Sequence, residues 1–446
     1  MILAPVFLYT RHTLFPGFTA LVPCLGAAAI IYANATKQTL IGQFLSLPLF
    51  VFIGKISYSL YLFHWPFIAY YTYIAFERPS AATSLSIIVV TFAFACFSYY
   101  FVETPFRRKT LCVQRKHLFT TSFVAIALCI TLGLLCKDKY VARYLSPATS
   151  EQYVAGFADN NPRREECHSI PSEKIAEGHL CHIGPDNYAS NPSFLSWGDS
   201  HVDALMPLLE KLAQEGGVTG WHASSSSCPP LLDVVSQHID VKMKQQCMSF
   251  NREMLNIATK KRFSHVILHG VWLTYALGWQ GFEARSATGN PMLENAERKA
   301  RTAEESIALM RAGLEGIISE LRKTGSTVWL ILPTPILEFH GPRKLAMTKR
   351  IPLFNTRPEC MLDDHYKKSS AIREMLLSLA SDNVHIIDPL PYFCDGQNMT
   401  LAVDGKSLYS DANHLSATGA RFLAPAFDEL LKAFKQCATA EQAQDK

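Results

Sequence analysis

Phe194-Leu195-Ser196-Trp197-Gly198-Asp199-Ser200-His201-Val202-Asp203-Ala204-Leu205 is the stretch from which the rest of this 446-residue chain is read. Apolar, β-favouring residues run into Gly198, an acid and a serine follow, and Val202, Leu205, Leu208, Leu209 and Leu212 then recur at helical spacing. This is the pattern of strand, tight turn and helix. A serine on such a turn presents its hydroxyl at the carboxyl edge of a parallel sheet, beside helix N–H groups that stabilise a developing oxyanion. Ser200 is therefore the candidate nucleophile, although Gly-Asp-Ser by itself is also an ordinary turn and helix-cap sequence.

A hydroxyl needs a base and a group to orient that base. Both are available far along the chain in Tyr409-Ser410-Asp411-Ala412-Asn413-His414-Leu415-Ser416. If Asp411 opens a helix, Asp411 and His414 share one face and one segment supplies both partners. Between the two blocks, strand patterns at Val218–Ala223, His265–Trp272, Thr327–Pro335 and Val384–Asp388 alternate with helical patterns near Met243–Lys260, Arg298–Lys323 and Ala371–Ala380. Such alternation calls for an α/β domain with a parallel sheet covered on both faces, a three-layer arrangement whose sites lie at the carboxyl ends of strands.

Long apolar runs fall almost entirely before Lys137. Leu14–Ala33, Ile56–Ile74, Leu85–Val102 and Leu118–Cys136 each approach the ~20 residues that cross hydrocarbon, giving about four expected spans. Arg107, Arg108, Lys109, Arg115 and Lys116 crowd one short loop, which should be cytoplasmic, so everything after Lys137 is expected on the opposite side. Residues 137–192 are polar and irregular and read as a connector. A net charge of +4, without a basic stripe, argues against nucleic acid as a partner. The cysteines after Lys137 form no metal pattern and suit disulfides in an oxidising compartment. The assigned pairs are Cys167 with Cys181, Cys228 with Cys247, and Cys360 with Cys394, although spacing alone does not determine connectivity. No metal site is expected; His168, His179 and His182 could hold zinc but read as surface histidines in a disulfide loop.

Gly198-Asp199-Ser200-His201 together with Asp411-Ala412-Asn413-His414-Leu415-Ser416 resembles the first and last blocks of the SGNH hydrolase superfamily. Ser227-Cys228-Pro229-Pro230-Leu231 is similar to a segment of SGNH domains fused to type-3 membrane acyltransferases, which O-acylate surface polysaccharides. Gly54-Lys55-Ile56-Ser57-Tyr58-Ser59-Leu60-Tyr61-Leu62-Phe63-His64-Trp65-Pro66 and Val102-Glu103-Thr104-Pro105-Phe106-Arg107-Arg108 resemble the closing helices of those acyltransferases. The resemblance divides the chain into a partial membrane domain at 1–110, a linking helix at 111–136, the connector, an SGNH domain at 193–436 and a tail at 437–446. The early helices credited with acyl transfer have no counterpart here, so the chain reads as an amino-terminally truncated form. His64 is a membrane-domain candidate because polar groups at that depth are costly, or else a histidine bonded to a neighbouring helix.

The resemblance implies an O-acyltransferase, in the first instance an O-acetyltransferase, acting on a cell-surface polysaccharide such as O-antigen. Ser200 would attack the donor, His414 would serve as base and then acid, and Asp411 would orient it. The Ser200 N–H and the backbone or hydroxyl of Ser226 or Ser227 are the expected oxyanion donors, with Gly198 shaping the turn. The Gly-x-Asn block of many SGNH enzymes reads Gly270-Val271-Trp272 here, and the Trp272 indole could instead stack on a sugar. No tightly bound cofactor is implied; acetyl-CoA would be the ultimate donor in the complete enzymes. Expected partners are a polysaccharide or lipid-linked glycan and a complete acyltransferase membrane domain, in a multi-pass protein of the bacterial inner membrane with its SGNH domain in the periplasm. A carbohydrate acetyl esterase would use the same triad, and a non-catalytic, membrane-anchored module is the reading from a different class.

Overall fold

The apolar runs before Lys137 fold as helices: α1 (Phe18–Thr36), α2 (Pro48–Ala75), α3 (Ala81–Phe97) and α4 (Arg115–Lys137). The computed structural model describes residues 2–9, 13, 17–75, 79–108, 114–137, 155–185, 192–278, 292–337, 339–350, 362–395 and 398–444. The chain divides into two compact units, Met1–Tyr144 and Leu145–Lys446.

In the first unit α3 passes through a π-helical turn at Ser98–Glu103 into Thr104–Arg107. Phe63 and Phe67 of α2 pack on Phe94 of α3, with ring centroids 5.7 and 5.2 Å apart. Among the described residues two stretches, Phe18–Ala35 and Ala81–Arg107, are long and apolar enough to cross a membrane, and Phe119–Leu135 is a shorter apolar helix. The count of two falls short of the expected four. Lys55, Ser57, Ser59 and His64 dilute the apolar character of α2, and the basic start of α4 shortens its apolar part. His64 bonds the carbonyl of Tyr61 in its own helix at 2.6 Å, and among the described residues no bond joins its side chain to a neighbouring helix.

The second unit is built on a six-stranded sheet. Its strands are β1 (Cys181–Ile183), β2 (Phe194–Gly198), β3 (Gly220–Ser224), β4 (His265–His269), β5 (Thr327–Ile331) and β6 (Val384–Ile387). They lie in the order β1-β3-β2-β4-β5-β6. All neighbours run parallel except β1, which pairs antiparallel with β3. The connector is thus not wholly irregular, since it supplies the edge strand. Successive side chains of a strand point to opposite faces. Leu195 and Trp197 enter a core shared with helices α6 (Val241–Lys261), α8 (Ala303–Lys323) and α9 (Leu362–Leu377), whereas Phe194 stacks on Phe434 of the carboxyl-terminal helix with centroids 4.6 Å apart. The second face carries α5 (Ser200–Gly216), α10 (Ala417–Phe422) and α11 (Asp428–Gln444). The expected tail at 437–446 is for the most part the end of α11. A short helix α7 (Trp272–Leu277) follows β4.

The Ser224–Leu231 loop is fixed from below. Cys228 is bonded to Cys247 of α6, and Asn251 one turn on accepts from the Trp197 indole at 2.9 Å while donating to the carbonyls of Pro229 and Leu231. Cys167 is bonded to Cys181, which ties the connector to β1. Cys394 is disulfide-bonded, while Cys360 lies outside the described residues. The Cys228–Cys247 bridge closes 19 residues of sequence separation, so removing it as Cys228→Ser/Cys247→Ser is expected to destabilise the unit by about 3 kcal/mol. Denaturant unfolding of the paired variant checks this, and a change below about 0.5 kcal/mol would contradict it.

Candidate active site

Asp199 ends the first parallel strand and caps α5, its carboxylate accepting from the His201 N–H at 2.7 Å. A Cβ on Gly198 would lie 1.9 Å from the carbonyl oxygen of His269, so only glycine allows the turn to pass this close to β4. Ser200 consequently stands at the first position of the helix, where the backbone N–H lies outside the intrahelical ladder. Its Oγ is 2.8 Å from His414 Nε2, and His414 Nδ1 is 2.7 Å from Asp411 Oδ2. The other Asp411 oxygen accepts from the backbone N–H groups of Asn413 and His414 at 2.8 and 2.7 Å. Burial would raise the Asp411 pKa, but the His414 ring and the two N–H donors outweigh it and hold the carboxyl well below the usual carboxylate range.

This geometry corrects the local reading of the Asp411 block. Asp411 does not open a helix. It closes a side-chain-to-backbone turn, and α10 starts only after Ser416, whose hydroxyl caps it by accepting from Gly419. The turn brings the imidazole to the carboxylate just as a helical face would, by a different route.

The second Asp199 oxygen accepts from the Val271 N–H at 2.9 Å and the Tyr275 hydroxyl at 2.7 Å. Burial pushes the Asp199 pKa up despite these three donors. His201, next to Ser200, is 5% exposed and lies against His414 with ring centroids 4.6 Å apart.

His168, expected at the surface, turns inward. Its Nδ1 pairs with Ser224 Oγ at 2.8 Å and its Nε2 with Ser226 Oγ at 2.7 Å. His179 faces Glu177 and His182 stays on the exposed side of β1, so the three histidines share no common centre. The connector also delivers Arg164, which pairs with the buried Asp203, and Asn161, which donates to the same carboxylate at 2.7 Å. Sequence spacing carried no signal for these contacts, because Ser224, Ser226 and Asp203 lie tens of residues away.

The expected oxyanion and substrate residues separate into two groups. Ser227, at φ 55°, lines a cavity of about 100 Å³ with Ser200, His201, Val271, Thr274 and His414. Ser226 is committed to the connector through its hydroxyl and through its N–H to Ser169. Gly198 accepts from Ser225, and Gly270 lies against the Asp199 carboxylate. Trp272 cannot stack on a sugar: it is 0% exposed, and its indole N–H is satisfied by the Ile331 carbonyl at 2.8 Å.

Burial drives the pKa values of His168, His222, His265 and His269 down to about 4. Below the ordinary value of about 6.5 the unfolded chain binds protons that the folded chain refuses, so stability falls as pH drops from about 6.5 toward 4. Depressed carboxylates such as Asp411 lose their contribution only at lower pH, and the four histidines outnumber Asp199, whose raised pKa acts with opposite sign. Moving from pH 7 to pH 5 should lower stability by on the order of 1–2 kcal/mol for each such histidine. A thermal midpoint that stays level across this range would refute it.

The family model for the SGNH domain fused to AT3 domains matches residues 166–429. Two relatives named O-acetyltransferase OatA, both from Staphylococcus aureus, are 34% identical over 120 residues and 40% identical over 82 residues. The matches take in 25% and 18% of this chain and only 20% and 13% of the relatives' own length. The periplasmic domain of a lipopolysaccharide acetyltransferase from Salmonella Paratyphi A aligns with 64% of this chain and 96% of that domain, at 15% identity and a TM-score of 0.42. With 166–429 covering more than half of its length, the chain belongs to the family of SGNH domains fused to AT3 domains.

Proposed function

We propose that the chain is an O-acyltransferase, most simply an O-acetyltransferase, that modifies a cell-surface polysaccharide such as O-antigen through Ser200, His414 and Asp411. The hydrogen-bonded series Ser200–His414–Asp411, at 2.8 and 2.7 Å, carries this reading. With Nδ1–H held by the Asp411 carboxylate, His414 Nε2 is left to accept the serine proton. Ser200 Oγ attacks the carbonyl carbon of the donor ester, and the negative charge develops at the N-terminus of α5, where the Ser200 N–H is available. Collapse expels the donor alcohol, which takes the proton from His414 and leaves the acyl group on Ser200. An acceptor sugar hydroxyl then gives its proton to His414 and attacks the acyl carbon; Ser200 Oγ is expelled, takes that proton back from His414, and the acceptor leaves with the acyl group. Water in its place would make the chain an esterase.

Family membership supports a membrane partner domain of the AT3 type. In the fuller form of the proposal, the four apolar helices span the bacterial inner membrane, the SGNH unit works in the periplasm, and a complete AT3 domain brings acyl groups across from acetyl-CoA. The disulfides agree with an oxidising compartment. The test is acetyl release from p-nitrophenyl acetate by the full chain in detergent, against Ser200→Ala and His414→Ala, followed by addition of an acceptor glycan. Acetyl gained by the glycan indicates a transferase, and acetate alone an esterase.

A further inference from the structure

The connector grips two elements that flank Ser200. Arg164 and Asn161 hold Asp203, one turn beyond Ser200 on α5, and His168 holds the loop that leaves β3. The His168 ring lies between two hydroxyls, with Nδ1 2.8 Å from Ser224 Oγ and Nε2 2.7 Å from Ser226 Oγ. A neutral imidazole has one N–H and one lone pair, so in either tautomer it donates to one serine and accepts from the other. Burial keeps the ring neutral, its pKa being pushed down to about 4. The backbone on either side fixes the ring in turn: Cys167 is bonded to Cys181 of β1, and the Ser169 N–H donates to the Ser224 carbonyl at 2.7 Å.

The loop held in this way runs along the turn before Ser200 and into the site. Ser224 is level with Gly198 in the parallel pairing of β3 with β2, and the Ser225 N–H donates to the Gly198 carbonyl at 3.1 Å. Ser227 then lines the cavity of about 100 Å³ together with Ser200 and His414. Its φ of 55° is a strained backbone conformation for a residue with a side chain, and such conformations persist where the surroundings over-determine them. Ser227 makes no hydrogen bond of its own among the described residues. Its neighbours supply the constraint. Cys228 is bonded to Cys247, and Ser226 is held at its hydroxyl by His168 and at its N–H by Ser169 Oγ, 3.4 Å away.

We propose that His168 is a positioning residue for acyl transfer, which through Ser226 keeps Ser227 in the cavity wall beside Ser200. The inference rests on the reading of Ser200 as the nucleophile. The two ring nitrogens then do different work. Ser224 is buried and already fixed by strand pairing, so Nδ1 anchors the ring to a rigid strand end. Ser226 lies in the loop, and Nε2 carries that anchorage out to the residue beside Ser227.

Acetyl release from p-nitrophenyl acetate by the full chain in detergent tests this, with kcat expressed per folded protein. His168→Ala is expected to lower kcat by about tenfold or more, since small displacements of a group in a site cost up to about a hundredfold. Two amides then separate positioning from a merely structural role. Glutamine carries its amide to the place of Nε2 and keeps the bond to Ser226, whereas asparagine carries its own to the place of Nδ1 and keeps the bond to Ser224. Each variant loses one bond of the two, so a ring that only stabilises the fold is damaged alike by both. The expectation is that His168→Gln stays within about threefold of wild type and His168→Asn falls to the level of His168→Ala. Ser226→Ala removes the same contact from the loop side. It should cost as much as His168→Ala, and the double variant should lie within about twofold of either single one. If His168→Ala does not fold, Ser226→Ala, which alters one half-buried hydroxyl, carries the same expectation. A His168→Ala or Ser226→Ala protein within about twofold of the wild-type rate overturns the inference, as do equal losses with the two amides. Acetyl release by wild type that persists undiminished in Ser200→Ala overturns instead the reading of Ser200 on which the inference rests.

Discussion

Ser200→Ala is expected to lower kcat for acetyl release from p-nitrophenyl acetate by on the order of 10⁴-fold, and His414→Ala by nearly as much. The two effects should not add. Once the serine is gone, His414 has no proton to take; once the imidazole is gone, Ser200 is an ordinary alcohol at neutral pH. The double variant should therefore sit close to either single one, which distinguishes groups acting as a unit from two side chains that each help binding. Asp411→Asn should retain more activity than either, because the turn can still hold His414 through one acceptor while the charge opposite the imidazolium is lost. A Ser200→Ala enzyme that keeps a tenth of the wild-type rate would remove Ser200 from the chemistry. It would leave the 2.8 Å contact with His414 as a structural hydrogen bond only.

The position of Ser200 at the start of α5 was legible in the sequence because the change from strand to helical periodicity falls on Gly198-Asp199, and the fold turns on that change. Five of the six strands coincide with apolar runs for the same reason: a parallel strand buried on both faces reads as a continuous hydrophobic segment. The short β1 was hidden, since an edge strand of three residues in a polar connector has neither length nor alternation. The Asp411–His414 pair was visible as chemistry but not as conformation. Both Asp411 and Ser416 are good capping residues, and local sequence does not say which one starts the helix. In the folded chain Ser416 is the cap, and Gly419 packs so close to the Leu408 carbonyl that a Cβ there would lie 1.9 Å from its oxygen. The placement of His168 was out of reach for another reason: it depends on what faces the ring, the Ser224 and Ser226 hydroxyls.

Asp199→Ala is expected to cost about 3–5 kcal/mol of stability. The residue is 0% exposed, and its two oxygens accept from three donors belonging to separate elements: His201 on α5, Val271 after β4 and Tyr275 on α7. Truncation leaves three donors without an acceptor, two of them on the buried residues His201 and Tyr275 and the third on half-buried Val271. Tyr275→Phe removes a single donor and should cost about 1–2 kcal/mol, because two remain to hold the carboxylate. Asp199→Asn falls between the two, as the amide offers one acceptor and sets an N–H against at least one other N–H. Chemical denaturation of the three variants orders them directly, and an Asp199→Ala protein within 1 kcal/mol of wild type would contradict the argument. The same carboxylate also joins the helix that carries Ser200 to the cavity wall at Val271. A folded Asp199→Asn protein should therefore lose acyl transfer to an acceptor alcohol more steeply than it loses hydrolysis, because water needs no wall to position it and an acceptor does.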